Sequence, residues 1–473
     1  MTRAGHDPVH AVVDDGLRRL AALGGDLADH ANGLGAILWS PPRVVIVGRL
    51  KAGKSTLVNA LIGAPVAETA ALEATKVVTI YQDGAPSRAE VVGLDGVRRP
   101  VAVSPGAEMA LPIPAAEVGH VHRWLPSAAI RDVTLIDTPG LATLTTPNEA
   151  ATRRALIDGV DQTRTASVDA DAAVFLFDAT PRADELEFLR TLPFTPLNVL
   201  GVLSRADGFG EGALGQQDPL VLARSHAAEL GRRLARTATA VTPISGLMAQ
   251  TAYTGALTER DAQLLAGLAP YHPLDLVDLL DSDDPAPLTP ADRDRLLDLL
   301  GEYGILHGRG VARSGAAALG AWLAERSGVE DLRRLMHASI GRVAVWHRAG
   351  RILDRLDRLA YQHPARDQIR TIAHQMRSAP ALRQVTLLED LARLLQVDPE
   401  SPLVDEVRDL LAGDTACGRL GLAADADPAL IRATAQQRLA DAQQRAAFST
   451  QSAAEDTALV TVIAAYQDML SAR

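Results

Sequence analysis

The feature that most constrains this chain is a glycine-rich segment between an apolar run and an amphipathic stretch. Residues 48–55 read GRLKAGKS, which has the spacing G-x-x-x-x-G-K-[ST]. The apolar run Val44–Val47 predicts a buried strand before it, and residues 56–62 predict a helix after it. The glycines let successive backbone N–H groups point at a phosphate, so the segment predicts a phosphate-binding loop.

The side chains of this segment indicate how a nucleotide is held. We expect the Lys54 ammonium to bridge two phosphates and the Ser55 hydroxyl to bind Mg²⁺. Only three of the 47 Lys and Arg residues are lysines, namely Lys51, Lys54 and Lys76. A compact ammonium fits between phosphates where a planar guanidinium does not, which explains a lysine at position 54 in an arginine-rich chain. The predicted nucleotide contacts here are Gly48, Lys51, Ala52, Gly53, Lys54, Ser55 and Thr56.

A second motif follows another predicted strand. Residues 137–140 read DTPG and end the apolar run Val133–Ile136. We expect Asp137 to hold a water of the Mg²⁺ shell and the Gly140 N–H to reach the γ-phosphate. On its own such a tetrapeptide is more often a plain turn, but a strand before it and a phosphate loop upstream favour the nucleotide interpretation.

Two more motifs predict which base is bound. Residues 204–207 read SRAD, which resembles the guanine-reading motif [NT]-K-x-D. The Asp207 carboxylate accepts both guanine N–H groups, and adenine lacks those donors. Arg205 replaces the usual lysine and can still stack on the base, whereas Ser204 replaces Asn or Thr; a surface turn that caps a helix is the alternative. Ser245 and Gly246 follow a further strand and are predicted to contact the base edge through the backbone.

The pattern of strands and helices predicts the fold of the first half. Apolar runs recur at Val133–Ile136, Ala173–Phe177 and Val199–Leu203, with helical patterns between them. We therefore predict that residues 41–255 form an α/β domain, a mostly parallel sheet with flanking helices, and the motifs above predict that it is a P-loop GTPase domain. The stretch 84–130 is rich in Pro, Gly and short strand-like pieces and is expected to be an irregular insertion.

The second half predicts only helices. Residues 256–473 are expected to form an elongated all-α helical bundle or stalk, and residues 1–40 an N-terminal helix that packs with this bundle. Residues 328–363 predict one long helix, after which His363-Pro364 forces a turn. Residues 366–397 can then run back beside that helix. A compact four-helix domain is the alternative arrangement.

Charge and composition exclude several classes of function. The net charge is −11 and no long Lys/Arg run occurs, so nucleic acid is not an expected partner. Cys417 is the single cysteine, which excludes a disulfide framework and a Cys-rich metal site and fits a reducing compartment. No stretch of about 18 uncharged apolar residues predicts a membrane span. We expect a cytoplasmic protein.

Taken together, the motifs resemble those of the bacterial dynamin-like GTPases, in particular the mycobacterial isoniazid-inducible dynamin-like proteins. The matching segments are LKAGKSTLVNAL at 50–61, EATKVVT at 73–79, DTPG at 137–140, SRAD at 204–207, TPISGL at 242–247, EYGILHG at 302–308 and ERSGVEDLR at 325–333. The resemblance implies a GTPase head on a helical bundle, GTP and Mg²⁺ as ligands, self-association through the heads, and membrane remodelling.

The resemblance also assigns residues to hydrolysis. Thr75 matches the switch threonine that closes on Mg²⁺ and the γ-phosphate, with Thr69 and Thr79 as rivals. Leu141 stands where Ras-type enzymes place a water-orienting Gln, so that mechanism is excluded. We hypothesise that Lys51 is a cationic finger supplied in cis, which neutralises charge as the β–γ bridge breaks. A solvent-facing lysine is the alternative.

Three functions compete at this point. The first is a dynamin-like GTPase that couples head association to membrane remodelling, peripheral on the inner face of the plasma membrane. The chain carries no cluster of four basic residues that could bind anionic lipid. A paralogous dynamin-like partner is therefore expected to supply the contact with the membrane. The second is a GTP-dependent switch whose helical half docks a protein partner without membranes. The third is an ATP-using P-loop enzyme, which requires Asp207 to be irrelevant.

Overall fold

The computed structural model divides into two compact units. It describes residues 7–67, 77–103, 109–139, 165–166, 169–281, 287–447 and 452–471. The sheet unit comprises Pro41–Leu192 and Val199–Ala338. The helical unit comprises Met1–Ser40, Pro193–Asn198 and Ser339–Arg473.

Nine strands of the sheet unit form one sheet within the described residues. They are β1 (Arg43–Gly48), β2 (Thr79–Asp83), β3 (Arg88–Gly93), β4 (Arg98–Val101), β5 (Val118–Leu125), β6 (Thr134–Asp137), β7 (Ala172–Phe177), β8 (Val199–Ser204) and β9 (Ala240–Ile244). The strand order is β4-β3-β5-β2-β6-β1-β7-β8-β9. Strands β6, β1, β7, β8 and β9 pair in parallel, so their carboxyl ends share one edge of the sheet.

The central strands are apolar because both faces are covered. Every residue of β7 and β8 is buried, and β1 is buried from its second residue onward. Continuous Val, Leu, Ile and Phe runs of this kind are typical of parallel strands that lie between two layers of helices. The predicted fold class, a mostly parallel α/β sheet followed by helices, is confirmed.

Helices of the sheet unit lie between and after these strands. They are α3 (Lys54–Ile62), α4 (Ala183–Arg190), α5 (Pro219–Arg233), α6 (Gly246–Tyr253), α7 (Glu259–Gly267), α8 (Pro273–Asp281), α9 (Pro290–Gly308), α10 (Ala316–Ser327) and α11 (Val329–Leu335). Helix α9 is kinked at Gly301, whose φ of 62° is not helical.

The segment expected to be an irregular insertion is instead an extension of the sheet. Within residues 84–130, strands β3 and β4 pair antiparallel and β3 pairs antiparallel with β5. Strand β5 pairs with β2 and so joins this hairpin to the central sheet. The prediction was wrong because the strands accommodate Gly93, Pro100 and Gly119, while Val91, Val118 and Val121 belong to a small apolar core of the extension.

The helical unit contains the remaining helices and one continuous apolar core. They are α1 (Pro8–Ala21), α2 (Asp26–Trp39), α12 (Gly341–Gln362), α13 (Arg366–Arg377), α14 (Arg383–Val397), α15 (Pro402–Ala412), α16 (Ala416–Arg419), α17 (Pro428–Ala447) and α18 (Ala453–Ser471). The core takes buried side chains from α1 and α2 as well as from the later helices. The expected single helix at the N-terminus is two helices, because Gly24 and Gly25 both have positive φ.

The predicted long helix at 328–363 is also divided. A π-helical segment, Met336–Ile340, lies between α11 and α12. The boundary of the compact units, Ala338/Ser339, falls inside this segment, so residues 256–338 belong to the sheet unit. The sequence-based prediction placed residues 256–338 in the helical stalk. The division into functional domains at residues 40 and 255 stays a prediction.

The length and hydropathy of a helix decide whether it can cross a membrane. Among the described residues, no helix combines the length and the apolar character that a bilayer-spanning segment needs.

Candidate functional site

The sequence motifs converge at the carboxyl edge of the parallel strands. Gly48 ends β1, Asp137 ends β6 and Ser204 ends β8, while Ser245 directly follows β9. Because β7 separates β1 from β8 in the sheet, the phosphate loop and the SRAD turn lie two strands apart at the same edge. A crevice at the carboxyl ends of parallel strands is the usual ligand site of such sheets.

The phosphate loop requires glycine at two positions. A Cβ at Gly48 would lie 2.6 Å from the Leu176 carbonyl oxygen of β7, so the close approach of the two strands demands glycine. Gly53 has a φ of 91° and immediately precedes α3. This left-handed residue turns the loop into the helix, and the free N–H groups of the first turn face the loop.

Lys54 is buried at the start of α3 with only 7% of its surface exposed. Its Nζ donates to the carbonyl oxygens of Gly48 at 3.1 Å and Arg49 at 3.0 Å. Burial lowers the pKa of Lys54 to about 8, against the opposing attraction of Asp137. The loop therefore holds an ammonium inside its own curl, where phosphate oxygens would meet it.

Ser55 and Asp137 meet beside this lysine. The Ser55 hydroxyl donates to Asp137 Oδ2 at 3.1 Å. Burial raises the pKa of Asp137 to about 6, although Lys54 and Ser55 both act to lower it. The neighbouring Thr138 hydroxyl donates to the Ile46 carbonyl oxygen at 2.7 Å and so ties the DTPG segment to β1.

The donor set of this pair fits a magnesium ion. Within the described ranges, the second carboxylate oxygen of Asp137, Oδ1, is buried and has no hydrogen-bond partner. A buried carboxylate oxygen in that state is costly unless a cation or an ordered water satisfies it. Hydroxyl and carboxylate oxygens are the ligands that Mg²⁺ prefers, with water and substrate phosphate completing its shell.

The SRAD turn contacts the phosphate loop through a side chain. Ser204 is buried and its hydroxyl donates to the Phe177 carbonyl oxygen at 3.1 Å. Arg205 Nη2 donates to the Lys51 carbonyl oxygen at 2.9 Å. Lys51 and Arg205 are also the two non-glycine residues with positive φ in the described part of the chain, at 65° and 56°. Such backbone strain clusters at functional sites, and here one hydrogen bond links the two strained residues.

The remaining base-site residues surround this turn. Asp207 is half-buried in a single turn of 3₁₀-helix after β8. Ser245 is fully buried and its hydroxyl accepts from the Met248 N–H at 3.4 Å, which caps α6. A Cβ at Gly246 would lie 3.4 Å from Thr56 of α3, so α3 and α6 begin side by side at the site.

Some predicted residues fall outside this description. Thr75 and Gly140, the expected switch threonine and γ-phosphate contact, lie outside the described residues, as do Lys76 and Leu141. Lys51 lies within the described residues and its side chain is exposed to solvent. This exposure agrees with both the cationic-finger hypothesis and the alternative of a solvent-facing lysine.

Sequence reasoning missed a buried acid next to the phosphate loop. Glu185 is only 5% exposed, and its Oε1 lies 3.7 Å from Nε of Arg49 in the loop. Its Oε2 accepts from the Arg182 N–H at 2.8 Å, and burial raises its pKa. The only signal in the sequence was a Glu near the start of a helix. Such a residue indicates a helix N-terminus but gives no information about a contact with the phosphate loop.

The chain matches a GTPase family model over residues 43–200 and a mycobacterial relative over most of its length. Residues 43–200 match the model of a family described as 50S ribosome-binding GTPase. The isoniazid-induced protein IniC of Mycobacterium tuberculosis strain H37Rv is 32% identical over 457 residues, 88% of this chain and 87% of IniC. The isoniazid-induced protein IniA of the same strain is 37% identical over 119 residues, 23% of this chain and 19% of IniA.

Two solved structures are also similar, each at 13% identity. Both are described as an oligomerised bacterial dynamin pair that provides a mechanism for the long-range sensing and tethering of membranes. The first match covers 92% of this chain with a TM-score of 0.30, and this chain spans 60% of that structure's chain. The second covers 98% of this chain and 76% of the other with a TM-score of 0.32.

Proposed function

Because the chain belongs to the family of the isoniazid-induced protein IniC, a family of dynamin-like GTPases, we propose that its GTP hydrolysis drives head association and membrane remodelling. That the chain binds and hydrolyses GTP follows from the family itself. The observation that carries the residue assignment is the convergence at one sheet edge of the buried Lys54, the Ser55–Asp137 pair and the Arg205–Lys51 contact.

The phosphate end of the site is formed by the loop at 48–55 and the first turn of α3. The Lys54 ammonium, which loop carbonyl oxygens hold in the structure, supplies the positive charge for the β- and γ-phosphates. Backbone N–H groups from Gly48 to Thr56 donate to phosphate oxygens, as the free donors at a helix N-terminus do. Gly140 supplies a further N–H to the γ-phosphate in this proposal.

A magnesium ion would be held by the Ser55 hydroxyl and, through water, by Asp137. The orphaned Oδ1 of Asp137 supports this assignment, since it is a buried acceptor in need of a donor or a cation. When bound, the ion supplies Lewis-acid stabilisation of the charge on the phosphate oxygens. Thr75 is proposed as the switch residue that completes the shell.

The base end is formed by the SRAD turn and the start of α6. Asp207 accepts from the two guanine N–H groups, and the Arg205 guanidinium lies over the base while it holds the Lys51 carbonyl oxygen. Ser204 positions the turn from below by its bond to Phe177. Ser245 and Gly246 supply backbone contacts to the base edge.

Lys51 is the proposed source of transition-state charge. Its side chain is exposed in the phosphate loop, and its backbone is fixed by Arg205. An ammonium at this position can approach the β–γ bridging oxygen as negative charge develops there. The finger is supplied in cis, so it requires no residue from a second protein.

Beyond the single molecule, we propose that the heads self-associate and that the protein acts at the inner face of the plasma membrane. IniC and IniA of one Mycobacterium tuberculosis strain are both similar to this chain, which supports a paralogous dynamin-like protein as its partner. The absence of a basic cluster in the sequence favours lipid contact through such a partner.

One experiment separates this function from a simple switch. GTP turnover per molecule is measured over a hundredfold range of protein concentration, with and without vesicles of anionic phospholipid. Heads that activate one another give a specific activity that rises with concentration. A constant specific activity, unchanged by vesicles, would favour the switch that docks a protein partner and would remove membrane remodelling by this chain alone.

A further inference from the structure

Two helices of the sheet unit begin side by side at the nucleotide site and run together away from it. Helix α3 follows the phosphate loop, and helix α6 follows the base-contacting residue Ser245. They remain in contact along their length and in the same direction. The successive contacts pair Thr56 with Gly246, Asn59 with Gln250, and Gly63 with the Tyr253 carbonyl oxygen.

The far ends of both helices meet at one cluster on α11. Arg333 Nη2 donates to the carbonyl oxygens of Ala60 at 3.0 Å and Leu61 at 3.3 Å. Both residues lie in the last turn of α3. The same guanidinium lies 4.3 Å from the ring centroid of Tyr253, the last residue of α6. Glu330 joins the two, since its Oε1 accepts from Arg333 Nη1 and from the Tyr253 hydroxyl, each at 2.5 Å.

The charges in this cluster are stable at neutral pH. Burial, followed by Glu330, raises the pKa of Tyr253 to about 12, so its hydroxyl remains a donor. The bond from Tyr253 lowers the pKa of Glu330, which therefore stays ionised and holds Arg333 in place. A cation at a helix C-terminus complements the helix dipole, as a phosphate does at the N-terminus.

Helix α11 is itself fixed against the base end of the site. The Ser245 N–H donates to the Ser327 carbonyl oxygen at 3.0 Å. Gly328, with a φ of 79°, lies so near β9 that a Cβ would be 2.3 Å from the Pro243 carbonyl oxygen. Helix α11 is the last α-helix of the sheet unit, since the chain enters the helical unit at Ser339.

On the basis of the nucleotide site proposed above, we propose that Arg333 is a positioning residue for GTP binding. By holding the C-termini of α3 and α6, it sets the spacing between the phosphate and base ends of the site. Each helix is rigid, so fixing its far end fixes its N-terminus as well. A small displacement between groups that bind one ligand is costly, because both ends must be engaged at once. Because Arg333 would couple α11 to both ends of the site, we also expect nucleotide binding to affect the position of α11.

The test compares variants of Arg333 with a matched control one residue along. Arg334 is 78% exposed and pairs with Asp331 on its own helix, so Arg334→Gln removes the same charge from α11 without touching α3 or α6. The dissociation constant for GTP is measured with a fluorescent GTP analogue. We expect Arg333→Gln to weaken binding by about threefold to thirtyfold, the range of energetic coupling between connected sites. Arg334→Gln should stay within about twofold, and Arg333→Lys should recover part of the loss.

A second readout distinguishes positioning from plain stability. The melting temperature of each variant is measured with and without saturating GTP. A residue that positions the site reduces the increment that GTP gives, whereas a structural residue lowers both melting temperatures equally. Equal lowering with an unchanged dissociation constant for Arg333→Gln would overturn the proposal.

A milder variant covers the case in which Arg333→Gln fails to fold. Tyr253→Phe keeps the ring under the guanidinium but removes the hydroxyl that anchors Glu330. We expect it to weaken GTP binding by about threefold, the effect of one lost hydrogen bond. An unchanged dissociation constant for that variant would likewise count against the positioning role.

Discussion

Replacing Asp207 by Asn tests the base-reading role of the SRAD turn. The carboxylate offers acceptors only, whereas the Asn amide presents a donor where guanine also has one. Xanthine carries a carbonyl in place of the guanine 2-amino group, so it offers an acceptor to the new amide. Asp207→Asn should therefore lose affinity for GTP and gain affinity for xanthosine triphosphate.

The expected size follows from the position of the side chain. A hydrogen bond to a charged group contributes about 1.5–3 kcal/mol, so two bonds contribute about 3–6 kcal/mol. Asp207 is half-buried in its 3₁₀ turn, and water competes for its oxygens, so the lower end applies. A loss of about 3 kcal/mol corresponds to a weakening of GTP binding by about a hundredfold.

Equilibrium binding of both triphosphates to wild type and variant provides the assay. Glu229→Gln, on the exposed face of α5, neutralises a carboxylate on the same unit away from the site and serves as the control. If Asp207→Asn bound GTP within about threefold of wild type, the assignment of Asp207 to the guanine edge would be refuted. The alternative of an ATP-using P-loop enzyme would then be favoured.

Three other predictions concern catalysis, pH and stability. Lys51→Ala should lower single-turnover GTP hydrolysis by about a hundredfold, and an unchanged rate would exclude the finger. The kcat/KM profile should fall below about pH 6, where Asp137 gains a proton, and above about pH 8, where Lys54 loses one; a flat profile between pH 5 and 9 would contradict both assignments. Hydrogen bonds from Arg295 lower the pKa of Asp261 to about 2, so this contribution to stability is complete above the unfolded-state value of about 3.8 and is lost as the pH falls through 2. Urea unfolding should show Asp261→Asn to be less stable by about 1–2 kcal/mol at pH 7, with the difference shrinking as the pH falls from about 4 to about 2.

Local patterns were sufficient for the central sheet and the placement of the motifs. The strands that lead into GRLKAGKS, DTPG and SRAD are buried almost throughout, and continuous apolar runs signal that environment. Strand β9, which carries the start of TPISG, lies at the edge of the sheet and is only partly buried. Once those strands are parallel, their carboxyl ends must share an edge, so the motif residues come together without any further information. The role of each residue there stays a prediction.

Contacts between distant segments were beyond the reach of such patterns. Arg333 and Ala60 are 273 positions apart, and Tyr253 and Glu330 are 77 apart. Nothing in the local sequence distinguishes Arg333 from Arg334, yet the first caps α3 and the second pairs with Asp331 on its own helix. The difference is which face of α11 each occupies, and the packing of that helix decides it.

Helix interruptions were missed for a different reason. The apolar spacing of residues 9–38 continues through Gly24 and Gly25, so periodicity alone predicted one helix. Two adjacent glycines with positive φ end α1, because left-handed backbone cannot continue a right-handed helix. The π-helical segment Met336–Ile340 interrupts the second predicted helix, although its composition carries no breaker.

Titration of GTP with Mg²⁺ into the wild-type chain and into Lys54→Ala, followed by calorimetry, tests the nucleotide site most directly. We expect saturable heat with GTP for the wild type, none with ATP, and a loss of GTP binding in a Lys54→Ala variant that remains folded. Equal heats from GTP in both proteins would contradict the assignment of the buried ammonium to the phosphates and, with it, the site described above.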